Sequence, residues 1–328
     1  AMIGRMVGFL LLTASLVVGW AWMEYQRFVE TPLQVEEGSV IYTVPGGSSL
    51  GAIAQDLEQA GMIGNARYLG WYGRYRGLAN RIKAGEYRLT DAMTPDDLLA
   101  LLVSGRSISY SLTLLEGWNI RQVRAAVAAH PVLQQTLGGV DDAELMTRLG
   151  RPDDHPEGRF FPDTYRFDRG TTDLDFLRRA MQMMDRELDA AWQARAEAIP
   201  LNSPYDALIL ASIIEKETGQ ADERPAIAGV FTRRLQKGMK LQTDPTVIYG
   251  MGERFDGNIR RKDLREDTPY NTYVHTGLTP TPICMPGREA IRAVLHPAEG
   301  EDLYFVARGD GSHKFSKTLK EHNAAVRK

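Results

Sequence analysis

The run Ala207-Leu208-Ile209-Leu210-Ala211-Ser212-Ile213-Ile214 constrains this chain more than any other stretch, because only Ser212 in it is polar. Ser203 can cap a helix just ahead of it, and Pro204 falls at the first helical position, where a missing N–H costs nothing. A helix that is apolar on every face is a buried one, so the fold has to be assembled around it. Glu215-Lys216-Glu217 then arrive together, and Gly219 is expected to close the helix in the left-handed conformation. A carboxylate at the mouth of a buried helix is partly dehydrated. Its pKa rises, and it can hold a proton near neutral pH as a general acid does. A turn of about 100° per residue sends Glu215 and Glu217 to nearly opposite sides. Glu215 stacks over Ala211 and Leu208, with Ser212 one turn back, and is read as the acid. Glu217, nearer the frayed end, is read as a supporting or solvated charge. The alternative for both is the wet end of a core helix.

At the other end of the chain, Met6 to Met23 runs without a charge and is just long enough to span a bilayer. Arg5 precedes it, Glu24 follows, and Trp20 and Trp22 lie near its outer end, where indoles favour the interface. No small-x-small site follows, so the reading is an uncleaved signal anchor with its N-terminus cytoplasmic and the remainder exported. Residues 1–23 are the expected anchor and 24–38 a linker. Two folded parts follow, at 39–109 and 110–328. The net charge of −3 gives no case for nucleic acid. Cys284 is the one cysteine, so no intrachain disulfide can form. In its proline-rich loop it reads as a small apolar residue, since no histidine adjoins it to activate it.

A strand–turn–helix pattern recurs three times. Tyr42-Thr43-Val44 leads to Leu50–Gln59, Tyr87-Arg88-Leu89 to Pro95–Val103, and Leu112-Thr113-Leu114 to Ile120–Ala129. A capping residue falls seven places after the first strand residue each time, at Ser49, Thr94 and Asn119. The expectation is an α+β chain of small modules. The first unit, through Val44-Pro45-Gly46-Gly47-Ser48-Ser49-Leu50 with Ile53, Ala54 and Leu57, resembles LysM, a βααβ module of glycan-binding proteins. Gly47-Ser48-Ser49-Leu50-Gly51 also fits the G-x-S-x-G nucleophile elbow, but the capping role accounts for Ser49.

Farther on, Pro156 to Phe167 interleaves Phe160, Phe161, Tyr165 and Phe167 with Arg and Asp, as a sugar-binding wall or a packed strand would. Gln242, Thr243 and Asp244 stand ahead of Pro245 and can turn hydrogen-bonding groups into a cleft, while Asp244 can alternatively lock the turn. The histidines are scattered without metal-ligand spacing, with His275 the one closest to these groups, and no phosphate loop or Schiff-base lysine stands out. Neither a metal nor a cofactor is expected.

Taken in order, Glu157-Gly158…Phe161-Pro162-Asp163-Thr164-Tyr165, Ala211-Ser212-Ile213-Ile214-Glu215-Lys216-Glu217-Thr218, Leu241 to Gly250 and Tyr270-Asn271-Thr272-Tyr273 resemble the YceG-like family of bacterial endolytic murein transglycosylases. The proline loop Gly277 to Gly287 departs from the family pattern. The resemblance implies a single inner-membrane span, a LysM-like module and a mixed α/β catalytic domain in the periplasm. It implies cleavage of the MurNAc–GlcNAc β-1,4 bond within nascent strands, leaving 1,6-anhydro-MurNAc ends, and peptidoglycan synthases as partners. It places the family's catalytic glutamate on Glu215. Gln242, Thr243, Asp244, Tyr270, Asn271, Tyr273, Tyr165 and Ser212 are the candidates for holding the sugar. Two other functions stay open: a muramidase-type hydrolase using Glu215 with Asp244 or Glu217, and a membrane-tethered glycan-binding scaffold.

Overall fold

In the computed structural model the chain divides between Tyr110 and Ser111 into two compact units. The structure describes residues 2–309 and 311–327, with the backbone alone for residues 2–5, 7, 9 and 37.

The first unit runs α1 (Met2–Glu30), β1 (Ser39–Val44), α2 (Leu50–Gln59), α3 (Ala66–Tyr75), β2 (Gly85–Thr90) and α4 (Pro95–Ser104). β1 and β2 pair antiparallel with Tyr42 opposite Tyr87. Alternation along β1 turns Tyr42 and Val44 inward, where they meet Ile53 and Leu57 of α2, Leu69 of α3 and Leu98 and Leu102 of α4. The expected caps form. Ser49 Oγ accepts from the Ala52 N–H at 3.2 Å, so the serine in the G-x-S-x-G pattern is a helix cap. Thr94 with Asp97 and Asn119 with Gln122 close full capping boxes.

The charge-free run Met6–Met23 lies inside α1, although the side chains of Val7 and Phe9 fall outside the described residues. Among the described residues, no helix is long and apolar enough to cross a membrane. Residues 24–38 are not a free tether. Tyr25, Phe28, Val29 and Val35 pack on the unit's core, and Leu33 is buried. The Leu33 N–H donates to the Met93 carbonyl at 2.7 Å and the Gln34 N–H to the Met62 carbonyl at 2.9 Å.

The second unit is entered along β3 (Ser109–Thr113), which pairs with β4 (Thr164–Asp168). Between them come α5 (Ile120–Ala129) and α6 (Asp142–Arg148), and after them α7 (Asp173–Gln193), α8 (Pro204–Glu217), α9 (Arg224–Gln236), α10 (Asp244–Met251) and α11 (Arg288–Leu295). A hairpin, β5 (Tyr304–Ala307) and β6 (His313–Ser316), pairs Phe305 with Phe315, and α12 (Leu319–Val326) follows. Asp310, between the two strands in the sequence, lies outside the described residues. With sheets of two strands each, the layers are helical, and α8 is the central one. Every residue from Ala207 to Ile214 is buried, with α7, α9, α10 and α11 packed around it. Ser203 Oγ accepts from the Asp206 N–H at 3.1 Å, as its position requires.

The helix ends differently from expectation. Thr218 leaves it in extended geometry (φ −140°), and its Oγ1 accepts from the Gln220 N–H at 2.9 Å. Gly219 therefore does not take the left-handed form, which the side-chain bond of Thr218 makes unnecessary. At Gln242–Pro245 the turn passes straight into α10, with Pro245 in its first turn.

Candidate active site

The three charges that end α8 fan out, each toward a different element. The Glu215 side chain is 5% exposed. Its Oε1 lies 3.2 Å from Arg224 Nη2, at the start of α9, and its Oε2 accepts from the Gly287 N–H at 2.9 Å. Gly287 is the N-cap of α11, where a helix presents partial positive charge. Burial pushes the Glu215 carboxyl up from the usual carboxylate range, the Gly287 N–H and Arg224 pull it back, and the charge of Glu116 adds to the rise. A Cβ on Gly287 would meet the exposed Glu116 carboxylate, which would have to move aside, so the acidic groups crowd the start of α11.

Lys216 is exposed and reaches the Gly117 carbonyl at 3.4 Å. With Gly117, Asn119, Ile248, Tyr249 and Ile283 it helps to line a cavity of about 130 Å³.

Glu217 turns to the loop before α10. Thr243 Oγ1 donates to its Oε2 at 2.6 Å, and that is its one hydrogen bond among the described residues. Among the described residues no cation is paired with it, and the residue, like Glu215, is of intermediate burial. Burial raises its pKa first. Thr243 lowers it, the negative charge of Asp244 raises it, and the more distant His313 and Arg234 lower it. The candidates of the 242–273 region gather on this side. Tyr273 Oη donates to Asp244 Oδ1 at 2.6 Å. The Thr243 N–H donates to Thr272 Oγ1 at 3.1 Å. Gln242, with exposed side chain, is the one non-glycine residue at positive φ (51°) among the described residues, a strained geometry that lets Thr243 face inward while Asp244 begins α10.

Other expected ligands are spent on the fold. Ser212 is fully buried; its Oγ donates to the Ile209 carbonyl at 2.7 Å and accepts from the Ile283 N–H at 2.9 Å. Asn271 is buried too, with Nδ2 donating to the Asp263 and Glu266 carbonyls and Oδ1 accepting from the Tyr273 N–H. Tyr165 packs edge-on to Phe176 and donates to the Phe161 carbonyl at 2.6 Å. Tyr270 packs against the Tyr249 ring, and its hydroxyl lies 2.8 Å from Thr281 Oγ1. His275 forms an exposed pair with Asp267. Cys284 is buried with its thiol held up in pKa by desolvation, an inert environment.

Sequence reasoning passed over Glu157. It is fully buried, accepts from the Ile120 N–H at 3.0 and 3.2 Å and from Tyr249 Oη at 2.9 Å, and burial raises its pKa to about 7. Its signals were a charged residue among aromatics just before a glycine and its place at the head of the first motif shared with the family.

A larger depression of about 940 Å³ lies between the hairpin and α12, but its Glu321 is held below the usual range by the Thr318 N–H, the reverse of what a general acid needs. What the fold and site define together is an α+β domain whose central buried helix delivers acidic side chains of raised pKa to its solvent end. The sequence pattern of the YceG-like family matches residues 42–328. A curated Bacillus subtilis (strain 168) relative named endolytic murein transglycosylase is 35% identical over 330 residues, covering 95% of this chain and 91% of its own. A relative of the same name from Streptococcus pneumoniae serotype 2 is 27% identical; it covers 98% of this chain, which spans 64% of that longer protein. A crystal structure of a protein described as yceG-like, from Listeria monocytogenes, superposes with a TM-score of 0.55 at 33% identity, over 87% of this chain and 98% of that one. The chain belongs to the YceG-like family.

Proposed function

We propose that this chain is a lytic transglycosylase acting on peptidoglycan, with Glu217 in place of Glu215 as the carboxyl that moves the proton. The observation that carries the assignment is the contrast between the two. Glu215 is ion-paired to Arg224 and bonded through both oxygens; these partners pull against the rise that burial gives its pKa and occupy the atoms a substrate would have to meet. Glu217 has one hydroxyl partner and no paired cation among the described residues, with a pKa raised first by burial.

Protonated Glu217 donates to the glycosidic oxygen, and the bond from C1 of the MurNAc residue to that oxygen breaks through an oxocarbenium-like state. The C6 hydroxyl of the same sugar then adds to C1 and returns its proton to the Glu217 carboxylate. The products are a free 4-hydroxyl on GlcNAc and a 1,6-anhydro-MurNAc end, with no water consumed and Glu217 restored. Thr243 fixes the carboxyl's orientation, and burial, with the charge of Asp244 added to it, keeps its pKa high. The bond cleaved is the MurNAc–GlcNAc β-1,4 link inside nascent strands.

The same reading gives α1 as a single inner-membrane anchor with the rest of the chain in the periplasm. Its Leu10, Leu11, Leu12, Leu16, Val17 and Val18 are each at least 60% exposed, which supports a lipid environment. The strand–helix–helix–strand order of the first unit supports a LysM-like module that engages glycan, and synthases of new strands are its partners. Asp244, adjoining Glu217, favours one rival: the two carboxylates could activate water as a muramidase does.

Mass spectrometry of nascent strands digested by wild type, Glu217→Gln and Glu215→Gln separates these. The expected result is anhydro ends from wild type, lost by a factor of about 10³ in Glu217→Gln and reduced less in Glu215→Gln. The reverse order returns the role to Glu215. Reducing ends instead of anhydro ends identify a hydrolase, and retention of strands without cleavage identifies a scaffold.

A further inference from the structure

Glu157 takes no part in that reaction, yet its surroundings suit a device better than a strut. Its carboxyl is fully buried and meets three donors, the Ile120 N–H at the start of α5, the Tyr249 hydroxyl of α10 and the N–H of the neighbouring Gly158. Asp142 of α6 adds a negative charge, Tyr205 of α8 and Cys284 of the proline loop also feel the Glu157 charge, and His155, its pKa lowered by burial, accepts from the Glu157 N–H at 3.1 Å. An ionised carboxylate accepts all three donated bonds, and the charge shortens and strengthens them. Protonation replaces one acceptor site with an O–H facing these donors; two of them are fixed backbone N–H groups, so the Tyr249 hydroxyl is the one that can reverse or swing away. Tyr249 is on the short helix α10, which begins at Asp244 and has Thr243 as its N-cap.

We propose that Glu157 is a positioning residue for the reaction: when ionised it holds Tyr249, and through Tyr249 the helix that sets Thr243 against Glu217, and when protonated it lets that helix loosen. This deepens the transglycosylase reading and rests on it. Burial places the change of state near pH 7, within reach of ordinary changes in the surroundings. The Tyr249–Tyr270 ring contact, at 4.8 Å, carries the same movement to the Thr281 wall of the proline loop.

The test measures kcat and KM of the full chain in detergent against murein strands from pH 5.5 to 8.5. Wild type is expected to give a bell, with the acid limb from Glu157 and the alkaline limb from Glu217. Glu157→Gln carries an amide whose N–H₂ mimics the protonated state. It is expected to lose the acid limb, with kcat at pH 7.5 down about tenfold and KM within twofold. Tyr249→Phe is expected to do the same, and it keeps the test available where the first variant folds poorly. An acid limb near pH 7 that survives in both variants overturns the proposal. Should wild type release no anhydro ends, the transglycosylase reading fails by itself, and the link is read without catalysis. Side-chain carboxyl ¹³C NMR, assigned with Glu217→Gln, then follows the Glu217 titration. Its midpoint rises in Tyr249→Phe as the Thr243 bond loosens, and an unmoved midpoint overturns the link.

Discussion

Glu215 and Glu217 leave the same helix end two positions apart, and what separates them is the neighbour each meets. Arg224 and the Gly287 N–H stabilise the charged form of Glu215 inside a site where its side chain is 5% and that of Arg224 11% exposed. Removing one member of a buried pair leaves the other's charge uncompensated, which costs about 3–5 kcal/mol. Arg224→Ala is therefore expected to lower stability by that order in urea unfolding, with the midpoint falling and the slope unchanged. A loss under 1 kcal/mol would show that solvent reaches Glu215 after all. Both carboxylates were legible in the sequence as acids at the end of a buried helix. Which of them is ion-paired and which meets only a hydroxyl was not, because Arg224, Gly287 and Thr243 come from three other elements. The same gap explains Ser212 and Asn271. Their side chains have the chemistry of sugar ligands, but their bonds run to Ile209, Ile283, Asp263 and Glu266, and only the fold says so.

Elements were legible where their signals are local. The caps at Ser49, Thr94, Asn119 and Ser203 and the apolar run of α8 need only a few neighbouring residues to be recognised, and each formed where its spacing required. The end of α8 was misread because Thr218 supplied its own side-chain bond. Gly158 shows the opposite case, a local residue under a distant constraint. It adopts φ +78°, and a Cβ there would lie 2.6 Å from Pro282 Cβ and Cγ. The chain turns at this point to bring Glu157 between α5 and α10 while the proline loop crosses behind it. Gly158→Ala combines a left-handed backbone, costing about 1–2 kcal/mol, with overpacking of about 1–3 kcal/mol. The expected loss is at least 2 kcal/mol by chemical unfolding, together with a weaker acid limb in activity as Glu157 shifts. A neutral substitution would mean that the proline loop gives way freely.

At the scale of the whole molecule, the carboxyls of Glu157, Glu215 and Glu217 are all raised by burial, and they make stability depend on pH in one sense. A group whose folded pKa exceeds its unfolded value binds its proton more tightly when folded. The stability it contributes is complete below the unfolded pKa and is lost as pH rises through the folded one. For Glu157 the window runs from 4.5 to about 7. The difference of about 2.5 units corresponds to about 3 kcal/mol. The protein is accordingly expected to melt at a lower temperature at pH 8 than at pH 5, although its net charge of −3 gives little general repulsion. Glu157→Gln, which carries no charge to lose, should flatten much of that slope in calorimetric scans across the same range. A slope unchanged by the substitution would assign it to the other two carboxyls. The form of Glu157 that the folded chain disfavours is the one that grips Tyr249. The conformation expected to work best is thus bought with stability, and the two pH dependences should run in opposite directions across neutrality.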